Sequence, residues 1–199
     1  MITQTGTHAS LLARLGQSLD GGADAAWREF VDRYGELIRG FCRSRNVLGA
    51  DCDDVVQEVL LSLAKAMPGF RYDPAKGKFR SYLKTVTLHA IFRKSGQKHR
   101  GEALADVEAL THAAAADDVV DATWEQEWRR YHLRRAMQVI DAEFSSRDRA
   151  AFSRYAVAGE DGGMISKDLG ISMDALYQIK TRITRRLAQV IEQQVQDEG

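Results

Sequence analysis

Apolar positions recur at helical spacing along nearly the whole chain, and no stretch alternates as a half-buried strand does. Trp27, Phe30, Val31, Tyr34, Ile38 and Phe41 fall at i, i+3, i+4, i+7, i+11 and i+14, which makes one core-facing stripe. Val55, Val56, Val59, Leu60 and Leu63 mark the buried side of a second helix. Phe79, Leu83, Val86, Ala90 and Ile91 mark a third. Trp124, Trp128, Tyr131, Met137, Ile140 and Phe144 give a fourth, with an aromatic buried side. Phe152 and Tyr155 belong to a short helix, and Leu176, Ile179, Ile183, Leu187 and Val190 to a long one. The pattern predicts an all-α fold.

Local punctuation places the ends. Ser10 can cap a helix over Leu11–Leu19 that Gly21 and Gly22 terminate, and Asp24 can cap the next. Asp51 reads as an N-cap, with Asp53 and Asp54 complementing the macrodipole. Ser145 or Ser146 caps the helix of Phe152, and Gly159, Gly162 and Gly163 break it. The run from Ile165 through Leu169, Gly170 and Ile171 to Ser172 has the form of a helix-turn-helix, with Gly170 supplying a positive φ and Ser172 a cap. Two small helical domains are expected, residues 1–100 and 123–199, joined by an acidic linker over 101–122, with the helix-turn-helix in the second.

Composition adds little until charge is read locally. The 199 residues are 44% hydrophobic and 28% charged, enough to build a core, and 28 basic residues balance 28 acidic ones. The charge is segregated. Phe79 to Arg100 holds no Asp or Glu but carries Arg80, Lys84, Arg93, Lys94, Lys98 and Arg100, with Phe79, Tyr82 and Phe92 among them. Aromatics beside phosphate-neutralising charges suit single-stranded nucleic acid, while the apolar positions of the same helix suit a core; one helix has faces for both. Gly101 to Glu127 has eight acids (Glu102, Asp106, Glu108, Asp117, Asp118, Asp121, Glu125 and Glu127) and no Lys or Arg. It reads equally as a linker or as a partly helical acidic surface, and its charge predicts that it lies against the basic helix. On Asp54, Gln57, Glu58 and Leu61 two readings also stand, a solvated face or a docking face. Cys42 and Cys52 show no metal-ligand spacing and are expected to be reduced thiols. No membrane span or signal peptide is legible, so the chain is expected to be cytoplasmic. No Walker A, dinucleotide loop, His-Glu-x-x-His or nucleophile elbow is present, and the reading is non-enzymatic, without metal or cofactor.

The stretch from Asp51 to Thr87 closely resembles region 2 of bacterial RNA polymerase sigma factors of the extracytoplasmic-function group. The family pattern is an acidic D-x-x-D-x-x-Q-E helix, then F-x-x-D-P-x-x-G-x-F-R-x-W-L and a basic helix. Asp51, Asp54, Gln57, Glu58, Phe70, Asp73, Pro74, Gly77, Phe79, Arg80 and Leu83 match it in order. The segment Ala175 to Leu187 is similar to the recognition helix of region 4, including Arg182, Arg185, Arg186 and Leu187. Tyr82 stands where the family commonly has Trp, and Leu88-His89 where it often has Arg-Asn, which puts promoter preference in question.

The resemblance implies a sigma factor that directs core RNA polymerase to promoters and helps open the −10 element. Its polymerase face would be Asp51, Asp54, Gln57, Glu58 and Leu61. Its −10 contacts, to duplex and to the single-stranded non-template strand, would be Phe70, Lys78, Phe79, Arg80, Tyr82, Lys84, His89, Arg93 and Lys94. Its −35 contacts would be Asp174, Tyr177, Gln178, Thr181, Arg182, Arg185 and Arg186. Family members are often held by an anti-sigma factor, and a separate partner of that kind is the expectation here. The alternative is a stand-alone helix-turn-helix regulator, which would need a dimer and a two-fold symmetric site.

Overall fold

The computed structural model describes residues 8–16, 23–66, 79–98 and 118–197. Those residues form eight α-helices and no strand: α1 (His8–Gly16), α2 (Ala23–Ser44), α3 (Ala50–Ala66), α4 (Phe79–Lys98), α5 (Asp118–Glu143), α6 (Ser146–Phe152), α7 (Gly162–Leu169) and α8 (Met173–Asp197). The all-α expectation holds. The Gly21-Gly22 stop, the turn at 70–78 and most of the acidic segment lie outside the described residues.

Two compact units result, residues 1–131 with 197–199 and residues 132–196. The division therefore falls inside α5, between Tyr131 and His132, whereas the sequence reading started a second domain at Thr123. The reason is visible in retrospect. Val120, Trp124, Trp128 and Tyr131 fall at i, i+4, i+8 and i+11, all four are buried in the core of the first unit, and nothing between Asp118 and Thr123 breaks a helix. Residues 118–122, read as the end of the linker, are the first turn of α5.

In the first unit α2 supplies the central stripe. Phe30, Tyr34, Leu37, Ile38 and Phe41 are all at most 1% exposed. α3 packs on α2 and on α4 through Val55, Val56, Val59 and Leu63. Tyr34 is the hub: its ring lies 4.8 Å from Phe30, 5.8 Å from Phe79, 6.3 Å from Trp128 and 5.4 Å from Tyr131. Phe41 meets Trp124 edge-on at 4.9 Å. Arg33 donates to the Tyr131 hydroxyl at 3.0 Å, so the polar end of that buried ring is satisfied. Opposite α2, a β-carbon at Gly40 would overlap the carboxylate of Glu127, which is 4% exposed and held by Arg130.

The α2–α3 turn passes Asn46 and Gly49 at φ 58° and 57°, a region these residue types tolerate. Cys52 and Asp53 donate their amides to the Gly49 carbonyl, so α3 starts behind Gly49. Asp51 is thus inside the first turn rather than the N-cap, and its carboxylate is used elsewhere.

The second unit packs Ile140, Ala151, Phe152, Ile165, Leu176, Ile179 and Ile183. Ser145 caps α6 by accepting from the Asp148 amide. α6 runs on as a π-helical turn, Ser153–Val157. Gly162 and Gly163 open α7 instead of breaking a helix, capped by Asp161, whose carboxylate accepts from the Met164 amide at 2.9 Å. A β-carbon at Gly162 would press on the terminal methyl of Met173, the flexible end of that side chain, and touch Leu176. Gly170 ends α7 at φ 62°, and Ser172 accepts from the Ala175 amide to start α8, as expected.

Because Tyr34 joins three helices, Tyr34→Ala is expected to lower the stability of the first unit by about 3–5 kcal/mol. Urea unfolding followed by tryptophan emission measures it, since Trp27, Trp124 and Trp128 all lie in that unit.

Candidate nucleic-acid and protein interfaces

The two residue sets that the sequence kept apart meet along α3 and α4. Lys94 Nζ lies 3.2 Å from Asp51 and 2.5 Å from Asp54, and Arg93 donates to Glu58 at 2.7 Å. Hydrogen bonds to Asp54 and then Asp51 raise the Lys94 ammonium above its ordinary pKa. The acids expected to meet polymerase are therefore partly neutralised by bases expected to meet DNA. Of the expected polymerase face, Gln57 is exposed, Leu61 one turn on is 56% exposed, and Asp54 is exposed although paired.

Along α4 the aromatic and basic residues part company. Phe79 is 2% exposed and edge-on to Phe30, so its ring, expected among the −10 contacts, is part of the core beneath this surface. Leu88 is equally buried. Tyr82 is half-buried, and desolvation raises its phenol pKa. His89 is half-buried. Arg80 pairs with Glu125 and lies 5.3 Å from the Trp128 ring centroid. Lys84 Nζ is 2.5 Å from Asp121. Phe70 and Lys78 lie outside the described residues. The partners Asp121 and Glu125 were missed as site residues, although their place in an acidic run was the available signal.

In the second unit Asp174, Tyr177, Gln178, Thr181, Arg182 and Arg185 are exposed on α8, and Arg186 is half-buried. Thr181 bonds back to the Tyr177 carbonyl at 2.9 Å. Tyr177 packs edge-on against Tyr155, and their hydrogen bond raises the Tyr177 pKa. Lys180, absent from the expected set, sits 5.5 Å from the Tyr155 ring centroid. Arg182 pairs with Asp148 at 3.0 Å, and Arg186 grips Glu143 with two bonds of 2.7 Å. Asp174, Gln178 and Arg185 stay outward.

Among the described residues no group of three or more His, Cys, Asp or Glu is placed to hold a metal ion, and no helix is long and apolar enough to cross a membrane. Cys42 and Cys52 are free and buried; burial, then its neighbour Cys52, pushes the Cys42 thiol far up, which keeps it protonated.

Residues 30–100 match the family Sigma-70 region 2. The match covers α3 and α4 and the greater part of α2, so the surface just described lies within a stretch similar to sigma-70 region 2. Among solved structures, CnrH in complex with the cytosolic domain of CnrY is similar at 19% identity over 92% of this chain and 96% of that one, with a TM-score of 0.36. No curated protein matches the chain.

The Glu143–Arg186 pair has a pH consequence. The guanidinium holds the Glu143 carboxyl below its ordinary value, so the stabilisation is present above that value and lost as pH falls through the lowered one. A carbon-detected NMR titration is expected to place the Glu143 midpoint below that of a free glutamate, and Arg186→Ala to return it upward.

Proposed function

We propose that this chain is a sigma factor of the extracytoplasmic-function group that acts in the cytoplasm, docks on core RNA polymerase, helps open the −10 element and reads the −35 element. What carries the reading is the match of residues 30–100 to region 2, in one chain with a second unit whose α7 and α8 flank a left-handed glycine. The division of labour follows the chain, with the polymerase and −10 roles in residues 1–100, the −35 role in the C-terminal part, and the acidic stretch from 101 between them. Control by a separate inhibitory protein belongs to the same reading.

On α3 the docking strip is Gln57 and Leu61, flanked by Asp51, Asp54 and Glu58. An exposed leucine rimmed by acids fits a partner surface that is basic around an apolar centre. On α4 the strand-facing groups are Arg80, Tyr82, Lys84, His89, Arg93 and Lys94. Their bases neutralise phosphate while Tyr82 offers a stacking face. A base taken out of the duplex repays an unstacking cost of a few kcal/mol by such contacts. α7 and α8 act as a helix-turn-helix, with α8 in the major groove. Gln178 and Thr181 then face base edges, and Arg185 faces phosphate.

Gln57→Lys with Leu61→Glu changes only outward side chains and is expected to leave the fold intact. It should weaken binding to core polymerase about thirtyfold or more, as loss of a central contact does, and abolish promoter-dependent transcription. Co-purification with core enzyme and run-off transcription measure the two. Unchanged capture and transcription would overturn the docking assignment.

In transcription assays on promoter libraries, Gln178→Ala is expected to relax choice at one −35 base pair by about 1–3 kcal/mol. Arg185→Ala should weaken all sequences alike and lower the salt slope by about one. The reverse pattern would mean that α8 presents another face.

A further inference from the structure

The strand-facing side of α4 is not open in the first unit. Arg80 and Lys84 are one turn apart on α4, and Glu125 and Asp121 are one turn apart on α5. Arg80 pairs with Glu125 and Lys84 with Asp121, so the helices run antiparallel along a two-rung seam. The bases are the covered members: the Lys84 side chain is 13% exposed and that of Arg80 25%, against 52% for Arg93 farther along the same helix. A phosphate approaching Lys84 from solvent meets Asp121 first.

We propose that the first half of α5, residues 118–131, is an internal cover on the strand-binding face of α4, its Asp121 and Glu125 occupying Lys84 and Arg80 until a single DNA strand displaces them. This rests on the assignment of Arg80 and Lys84 to strand binding, and adds a regulation of that site. The cover belongs to the same compact unit as α4 and is held there by Val120, Trp124, Trp128 and Tyr131.

The seam is built to be reversible. Arg80, Ser81, Lys84, Asp121, Trp124 and Glu125 line a polar cleft of about 310 Å³, so the two helices are not close-packed where their charges meet. The buried indole N–H of Trp124 has no hydrogen-bond partner among the described residues, so the docked arrangement leaves that donor unsatisfied. Both acids are about half exposed, 54% for Asp121 and 46% for Glu125, so salt screens their hold. A cover of this kind lowers apparent strand affinity in proportion to the uncovered fraction.

The test uses the full chain and a fluorescent oligothymidylate at low salt, read by anisotropy. Asp121→Asn with Glu125→Gln is expected to tighten binding about tenfold, the scale of two partly exposed ion pairs. Asp117→Asn with Asp118→Asn removes the same charge a few residues earlier in the sequence and should give little gain. Adding Lys84→Ala and Arg80→Ala to the uncovered variant should abolish its gain. Backbone amides of residues 118–131 should exchange faster in the uncovered variant, while those of α2 and α3 keep their protection. No gain from the uncovering pair, whether or not the parent chain binds, or an equal gain from the control pair, overturns the cover. If removing Arg80 and Lys84 leaves strand binding unchanged in both backgrounds, the assignment of those bases to DNA fails, and the cover with it.

Discussion

In the first unit the packing of aromatic rings around Tyr34 sets α4 and α5 against α2. One ring on α2 touches Phe30 on its own helix, Phe79 at the first residue of α4, and Trp128 and Tyr131 on α5. Aromatic pairs have preferred distances and tilts, so the contacts fix orientation as well as burial. α4 is thereby anchored at its N-terminal end, and Phe79 must be core for this to work. The basic side chains on the flanks of α4 inherit their directions from that anchor.

Those directions bring every basic group of interest on α4 to an acid. Arg80 and Lys84 meet α5, and Arg93 and Lys94 meet α3. The net charge of zero over the chain is mirrored by local pairing along this one helix. Under the proposed function, binding a polyanion or a basic protein surface is then an exchange of partners rather than the filling of an open site. An exchange gives little net energy to a poor ligand, because each new contact must replace an existing one. Selectivity therefore rests on whether the newcomer satisfies several groups together.

How much of this was legible in the chain depends on the kind of signal. The α2 stripe, the Gly170 turn and the Ser172 cap were readable because each is a local rule: a period, a backbone conformation, a side chain reaching the next turn. The α5 boundary was readable in part, since Val120 extends the Trp124 and Trp128 stripe backward. The ion pairs were not, because charge along a sequence shows sign but not which distant helix returns to meet it. Phe79 illustrates the same gap. It carried both a core and a contact reading, and the closeness of Tyr34, set by tertiary packing, is what buries its ring. On α8, Arg182 and Arg186 were read as −35 contacts, and Asp148 and Glu143 pair with them.

Gly40 and Glu127 carry a different lesson. The glycine has no side chain because the glutamate carboxylate fills the space one would take, and the glutamate is buried because the glycine leaves that space. Neither choice makes sense in its own helix: a mid-helix glycine weakens α2, and a buried carboxylate burdens α5. As a pair they are a knob and its socket. Enlarging position 40 displaces the Glu127 carboxylate from its place, so substitutions at these two positions, remote in the chain, are coupled.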